Sequence, residues 1–422
     1  MKRIVLIYIL TISFLFAVDA KMEIIKKKIN LPTMLVSISN ESINNSYSLK
    51  IKSLIEKDLA VSGHFNITNV LHKINFNSLP NIKKLRTEDV DLFLNIHIEK
   101  TTLGNLVAKI KLYDVNQNEI VLNKAYSTAS NNRYPFLAHK VSITVNEYLN
   151  APTIKWMDKL VIFSRYKTAK KSEIVISDYT LTFQKVVVSG GLNIFPKWVD
   201  DAQESFYYTS YSDDIPVLRK QNVYTAKSTK ITSSEGMIVC SDTSKKNSKI
   251  ILTMAPNSQP DIYVYDLKTK IRSRLTKYKG IDVGGSFVEN DTKIVFVSDR
   301  LKQPNIFAKK IGRKGVERLV YHGKNNSQCT TFDNYIVYSS RETDNEFGGN
   351  AFNLYLISTQ SDFIRRLTGT GRNQFPKFSE DGDSVLFTKS HKGKSYLGII
   401  RLNYNKSFVF PLKSGKLQSI DW

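Results

Sequence analysis

The sequence predicts an N-terminal α/β domain, two helices on a mixed sheet, followed by an all-β six-bladed propeller closed by the C-terminal strand. Three observations carry this reading. A short apolar strand recurs six times, ending at residues 163, 208, 252, 296, 338 and 387. These ends lie 42–49 residues apart, which is the period of a propeller blade. Helical periodicity is confined to the part before Pro152. The strand pattern that precedes each later copy is missing before the first copy and stands instead at the C-terminus.

Residues 1–20 read as a signal peptide. Lys2 and Arg3 supply its positive start, and residues 4–16 its apolar core. Val18-Asp19-Ala20 and Leu15-Phe16-Ala17 both offer small-residue cleavage sites, and the first is preferred. The competing reading, a membrane anchor, requires about 20 apolar residues. No cysteine lies near the cleavage site to take a lipid, and no later segment is apolar enough to span. The mature chain is therefore expected to be soluble and outside the cytoplasm. The formal net charge is +23. Removing Lys2, Arg3 and Asp19 takes away a net +1 and leaves about +22. Such a charge favours anionic partners, and export argues against nucleic acid. Two readings of it stay open: a Lys-rich composition with no dense basic tract, or attraction to anionic envelope surfaces.

Residues 21–152 form the expected α/β domain. Residues 32–39 read as a strand, and residues 46–61 as a helix with Ile51, Leu54, Ile55 and Leu59 on one face. Gly63, free to take positive φ, ends that helix. Residues 91–99, 106–114 and 119–127 read as a meander joined by turns at Gly104-Asn105 and Asn116-Gln117-Asn118. A second helix covers residues 135–149, with Pro135 in its first turn. Ala151-Pro152 ends the domain.

Residues 153–422 carry the repeat. Each copy of the first strand is followed by a second element, as in Asp261-Ile262-Tyr263-Val264, Asn305-Ile306-Phe307 and Asn353-Leu354-Tyr355. A third follows, as in Arg274-Leu275-Thr276, Arg318-Leu319-Val320 and Arg366-Leu367-Thr368. The preceding element ends at Trp198, Cys240, Phe287, Phe332, Phe378 and Trp422. Residues 417–422 thus supply the innermost strand of blade one, which removes the free edges of the ring. Cys240 and Cys329 fall on inner strands of blades that are not neighbours, beyond the roughly 7 Å disulfide limit. Two packed thiols are expected.

Catalytic constellations are absent from the sequence. Gly284-Gly285-Ser286-Phe287-Val288 lacks the last glycine of a nucleophile elbow. Gly369-Thr370-Gly371-Arg372 sits in a turn with no helix after it, so no nucleotide cofactor is expected. The six histidines (His64, His72, His97, His139, His322 and His391) form no zinc-type spacing. Asp381-Gly382-Asp383 reads as a tight turn rather than a calcium loop. No catalytic, cofactor or metal residue is assigned.

The segments Asp58-Leu59-Ala60-Val61-Ser62-Gly63-His64-Phe65, Leu112-Tyr113-Asp114-Val115, and Arg133 with Ala138-His139-Lys140 and Tyr148-Leu149 resemble, in this order, the N-terminal part of the TolB family. Phe375-Pro376-Lys377-Phe378-Ser379-Glu380-Asp381-Gly382 and Asp261-Ile262-Tyr263-Val264 resemble its blade repeat. Cys240 and Phe332 depart from the repeat, and Asn150-Ala151 replaces a glycine common after the second helix. The local reading of His139 is a hydrogen-bonded structural histidine, and of Asp58 a tie between its helix and a strand. The resemblance implies a non-catalytic, monomeric protein of the periplasm, part of the Tol–Pal envelope system. It implies that one propeller mouth binds the peptidoglycan-associated lipoprotein Pal, which holds the protein at the outer membrane. It also implies that an N-terminal segment, Lys21, Met22, Glu23, Ile24 and Ile25, couples to TolA and other Tol components, in support of outer-membrane integrity and cell division. Inner-strand starts ring one mouth, and on this ground Asn193, Ser234, Glu235, Asp282, Val283, Asn326, Gln328, Asn373 and Gln374 are the expected Pal-binding residues. The alternatives are a propeller-type hydrolase or lyase and an envelope glycan-binding protein.

Overall fold

Met34, Leu35, Val36 and Ile38 make a nearly unbroken apolar run, the pattern of a strand covered on both faces. That strand, β1 (Thr33–Ile38), lies inside a five-stranded sheet, parallel to both β2 (Asn66–Thr68) and β3 (Leu92–Lys100). Antiparallel β4 (Leu106–Asp114) and β5 (Glu119–Ser127) complete the order β2-β1-β3-β4-β5. The computed structural model describes residues 31–422 except 43, 213, 245 and 344–349. The expected signal peptide and the coupling segment Lys21–Ile25 lie outside the described residues.

Helices α1 (Ser48–Ser62) and α3 (Tyr134–Tyr148) pack Ile51, Leu54, Ile55, Leu59, Leu137, Val141 and Val145 on one sheet face. Gly63 ends α1 at φ +81°, and Pro135 stands in the first turn of α3. The other face is covered by Leu85 of a short helix, α2 (Ile82–Thr87), with Val90 and Val115. The sequence reading missed α2 and β2. Six and three residues are too few for a period to show.

Among the described residues the remaining strands group into six four-stranded antiparallel units. Their inner strands are Lys416–Asp421, Asn193–Trp198, Ile238–Thr243, Asp282–Val288, Lys324–Phe332 and Arg372–Phe378, in blade order. Lys416–Asp421 pairs antiparallel with Val161–Thr168, so the C-terminus closes blade one as expected. Blades five and six also touch through a single parallel pair, Phe352 with Arg372.

The second and third repeat elements are held by a polar clasp. In blade three, the Thr276 hydroxyl donates to Asp261 Oδ1 (3.0 Å) and accepts from the Ile262 N–H (3.0 Å). Arg274 pairs with the other oxygen of Asp261. Blade five repeats this, with the Thr368 hydroxyl donating to Asn353 Oδ1 at 3.0 Å. Asp381 receives the Asp383 N–H (3.1 Å) around Gly382 at φ +74°, the turn the sequence reading expected. Cys240 and Cys329 are free and buried.

One alignment needs correction. Trp198 lies opposite Phe206, two residues before Tyr208. Phe287, Phe378 and Trp422 occupy the same place, but in blades three and five it belongs to Thr243 and Thr331, not to Cys240 and Phe332. Bulges after Cys240 and between Ser327 and Thr330 shift the register. A bulge inserts a residue without changing composition, so the sequence does not mark it.

Candidate binding site

Each inner strand carries a bulge near its middle. At five of the six the backbone there turns left-handed, at Phe195, Gly284, Gln328, Phe375 and Ser419. A bulky residue at positive φ is strained, and such strain clusters at functional sites. These five residues line one cavity of about 350 Å³ that is bounded by all six inner strands. Met237, Val239, Cys240, Val283 and Cys329 form much of its apolar wall, with Phe195-Pro196 and Phe375-Pro376 on the blades flanking blade one.

The residue that precedes the aromatic position in each blade lines the channel. These are Lys197, Asp242, Ser286, Thr330, Lys377 and Asp421. Lys197 Nζ lies 3.1 Å from Asp421 Oδ1 and 3.6 Å from Asp242 Oδ1. Lys377 Nζ is 3.9 Å from Asp421 Oδ1. Burial opposes the charge of Lys197, but Asp421 and then Asp242 outweigh it and raise its pKa. At Lys377 burial dominates, helped by the Lys197 ammonium, and the pKa falls. Asp421 also accepts the Trp198 N–H at 2.9 Å. This ring separates the mouth cavity from a second chamber at the strand ends, lined by Asp201, Asp242, Asp291, Glu380 and Asp421 together with three lysines.

The expected mouth residues divide into two groups. Val283 and Gln328 line the cavity, Gln374 is half-buried beside it and Glu235 is exposed. Asn193, Ser234, Asp282, Asn326 and Asn373 do not offer a free surface, because all are buried in the wall. Their work is structural. The Asn373 amide donates to the Phe352 carbonyl (2.9 Å) and the Thr370 carbonyl (3.1 Å). The Asn326 amide donates to the His322 carbonyl at 2.7 Å, and Asn193 to that of Gly190. Asp282 accepts two bonds of 2.9 Å from Arg300. In blades two, five and six the strand start is tied to its own incoming loop. The repeated Phe-Pro-Lys triplet at 195–197 and 375–377 is the trace of this cavity in the sequence, and the sequence reading did not use it.

A second polar centre joins the α/β part to the ring. His139 on α3 places Nδ1 2.8 Å from Asp58 Oδ2 on α1, and Nε2 3.4 Å from Asp178 Oδ2 in blade one. Tyr179 and Ser142 donate to Asp58 at 2.6 and 3.1 Å. Burial works against the His139 charge, yet the two carboxylates prevail and raise its pKa to about 10. Asp58 therefore ties α1 to α3 and to the propeller, more than the single strand expected of it. His64 Nε2 adds a contact of 2.6 Å to the Tyr404 hydroxyl of blade six. Tyr148 donates to Asp114, whose other oxygen caps the turn at Asn116-Gln117. Among the described residues no group of three or more His, Cys, Asp or Glu side chains could hold a metal ion. None of the described helices is long and apolar enough to cross a membrane.

Family models match both parts: the TolB amino-terminal domain over residues 21–121 and the TolB beta propeller domain over residues 157–422. The chain belongs to the TolB family. It is 47% identical over its full length to the Tol-Pal system protein TolB of Wolinella succinogenes, all of which it covers. It is 46% identical, again with both chains fully covered, to the protein of that name from Helicobacter hepaticus. A crystal structure of TolB from Acinetobacter baumannii superposes with a TM-score of 0.77 at 21% identity, over 92% of this chain and 96% of that one, and shares the fold. Family membership makes the chain a Tol–Pal component.

Proposed function

We propose that the chain is a non-catalytic scaffold of the periplasm that binds the lipoprotein Pal at the propeller mouth and couples it to TolA through the segment beginning at Lys21. The observation that carries this reading is full-length similarity to proteins named for the Tol–Pal system, together with an open, largely apolar cavity at one end of the ring. A cavity with a few polar groups suits the anchor of a protein interface. An enzymatic reading needs a convergent acid–base or metal set in a cleft. Lys197, Asp242 and Asp421 are instead engaged with one another, which favours the scaffold. Titration of the mature protein with the soluble part of Pal, at low and physiological salt, is the test. Saturable binding is expected, and no binding at either salt overturns the reading. Removing residues 21–30 is expected to change that affinity without changing the melting temperature.

A further inference from the structure

We propose that the propeller mouth receives a carboxylate side chain of the partner protein, set in an apolar stretch of that partner, and that Lys377 is its receptor. This rests on the reading of the mouth as a docking surface. The observation behind it is an asymmetry across the channel. Among the described residues that line the mouth cavity, the only charged ones are Lys197 and Lys377, and there is no carboxylate. Asp242 and Asp421 stand in the ring itself, and Asp201, Asp291 and Glu380 line the chamber beyond it. A group entering from the mouth thus meets two ammonium groups before any acid.

The two lysines are not equally neutralised. Lys197 has carboxylate oxygens at 3.1 and 3.6 Å. Among the described residues Lys377 reaches a single one, at 3.9 Å, beyond hydrogen-bond distance. Its side chain is only 25% exposed. Burial and the neighbouring Lys197 hold its pKa below the usual lysine value. A largely buried ammonium without a close partner is an unfavourable arrangement, which an incoming carboxylate at about 2.8 Å relieves. Phe195-Pro196 and Phe375-Pro376 flank this position on either side of blade one. Apolar partner residues packed on both rings would exclude water and strengthen the ion pair beneath them.

The test uses the full mature chain with Lys377→Gln and Lys377→Glu, titrated with the soluble part of Pal. Lys377→Gln is expected to weaken binding by about thirtyfold or more and to flatten its salt dependence. Its melting temperature should be no lower than that of the native chain, because a poorly paired buried charge has gone. Lys377→Glu should abolish binding, and an Asp or Glu changed to Lys on the partner should restore it. Native binding with Lys377→Gln within twofold of it overturns the inference and leaves the proposed function standing. If the native chain does not bind Pal, the proposed function fails. The inference is then read by zero-length carbodiimide crosslinking in intact cells. An amide between Lys377 and an identified partner Asp or Glu supports it. Crosslinks at other lysines with none at Lys377 overturn it.

Discussion

His139→Gln probes the junction between the α/β part and the ring, and its effect must depend on pH. His139 is fully buried between Asp58 and Asp178. Its pKa rises from 6.5 in the unfolded chain to about 10 in the folded one. A rise of this kind stabilises the fold fully below pH 6.5, and the gain is lost as pH climbs through about 10. At about 1.4 kcal/mol per pH unit, the full contribution is of order 5 kcal/mol. Glutamine keeps the size and one donor but not the charge. Asp58 still receives Tyr179 and Ser142, and Asp178 still accepts the Phe183 and Thr180 N–H groups, so the cost should be about 3–5 kcal/mol at pH 6.5. Urea unfolding followed by tryptophan fluorescence reads it well, because Trp156 lies against Tyr179 in the same junction. The gap between native and variant should shrink by about 4 kcal/mol between pH 6.5 and 9.5. A gap that stays constant over that range would show that the imidazole is neutral in the folded protein, and the argument would fall.

Deleting residues 417–422 should lower the melting temperature of the whole ring. Leu417 and Ile420 are buried, each worth about 1.5–3 kcal/mol, and Lys197 would lose its 3.1 Å partner. An unchanged melting curve would refute the closure. Cys240 and Cys329 are 3% and 9% exposed, and burial pushes the Cys329 thiol up to about 12. Neither should react with a thiol reagent at neutral pH until urea unfolds the chain, whereas rapid labelling of the native protein would contradict their packing.

The parts of the structure legible in the sequence are those governed by period. Six strands ending at regular spacing, and the sixth copy of the preceding element displaced to residues 417–422, define a closed ring because period and closure are both linear properties. The helices α1 and α3 were legible for the same reason. The axis of the channel was not. Lys197, Asp242, Lys377 and Asp421 each stand alone in their own blade, tens of residues from the next, and only the circular arrangement brings their charges within 4 Å. Which residue of each strand faces the axis depends on the bulge. At Phe195 and Phe375 the left-handed residue is a phenylalanine, where sequence rules expect glycine. The starts of the inner strands are the expected binding residues on sequence grounds, yet Asn193, Asn326 and Asn373 spend their amides on loop carbonyls. Buried backbone acceptors require partners, and an asparagine at a strand start is a local one.

The closing strand unites the two polar centres. Asp421 and Trp422 are consecutive, so their side chains leave the backbone in opposite directions. Asp421 stands between Lys197 and Lys377, while Trp422 packs on Trp156 at 5.5 Å and donates to the Phe378 carbonyl at 2.8 Å. Trp156 in turn meets Tyr179, which donates to Asp58 beside His139. The carboxylate 3.9 Å from Lys377 is therefore carried by the strand that also anchors the junction. Trp156, Trp422 and Asp421 thus form one continuous chain of contacts and covalent bonds from the His139 junction to the charges of the axis.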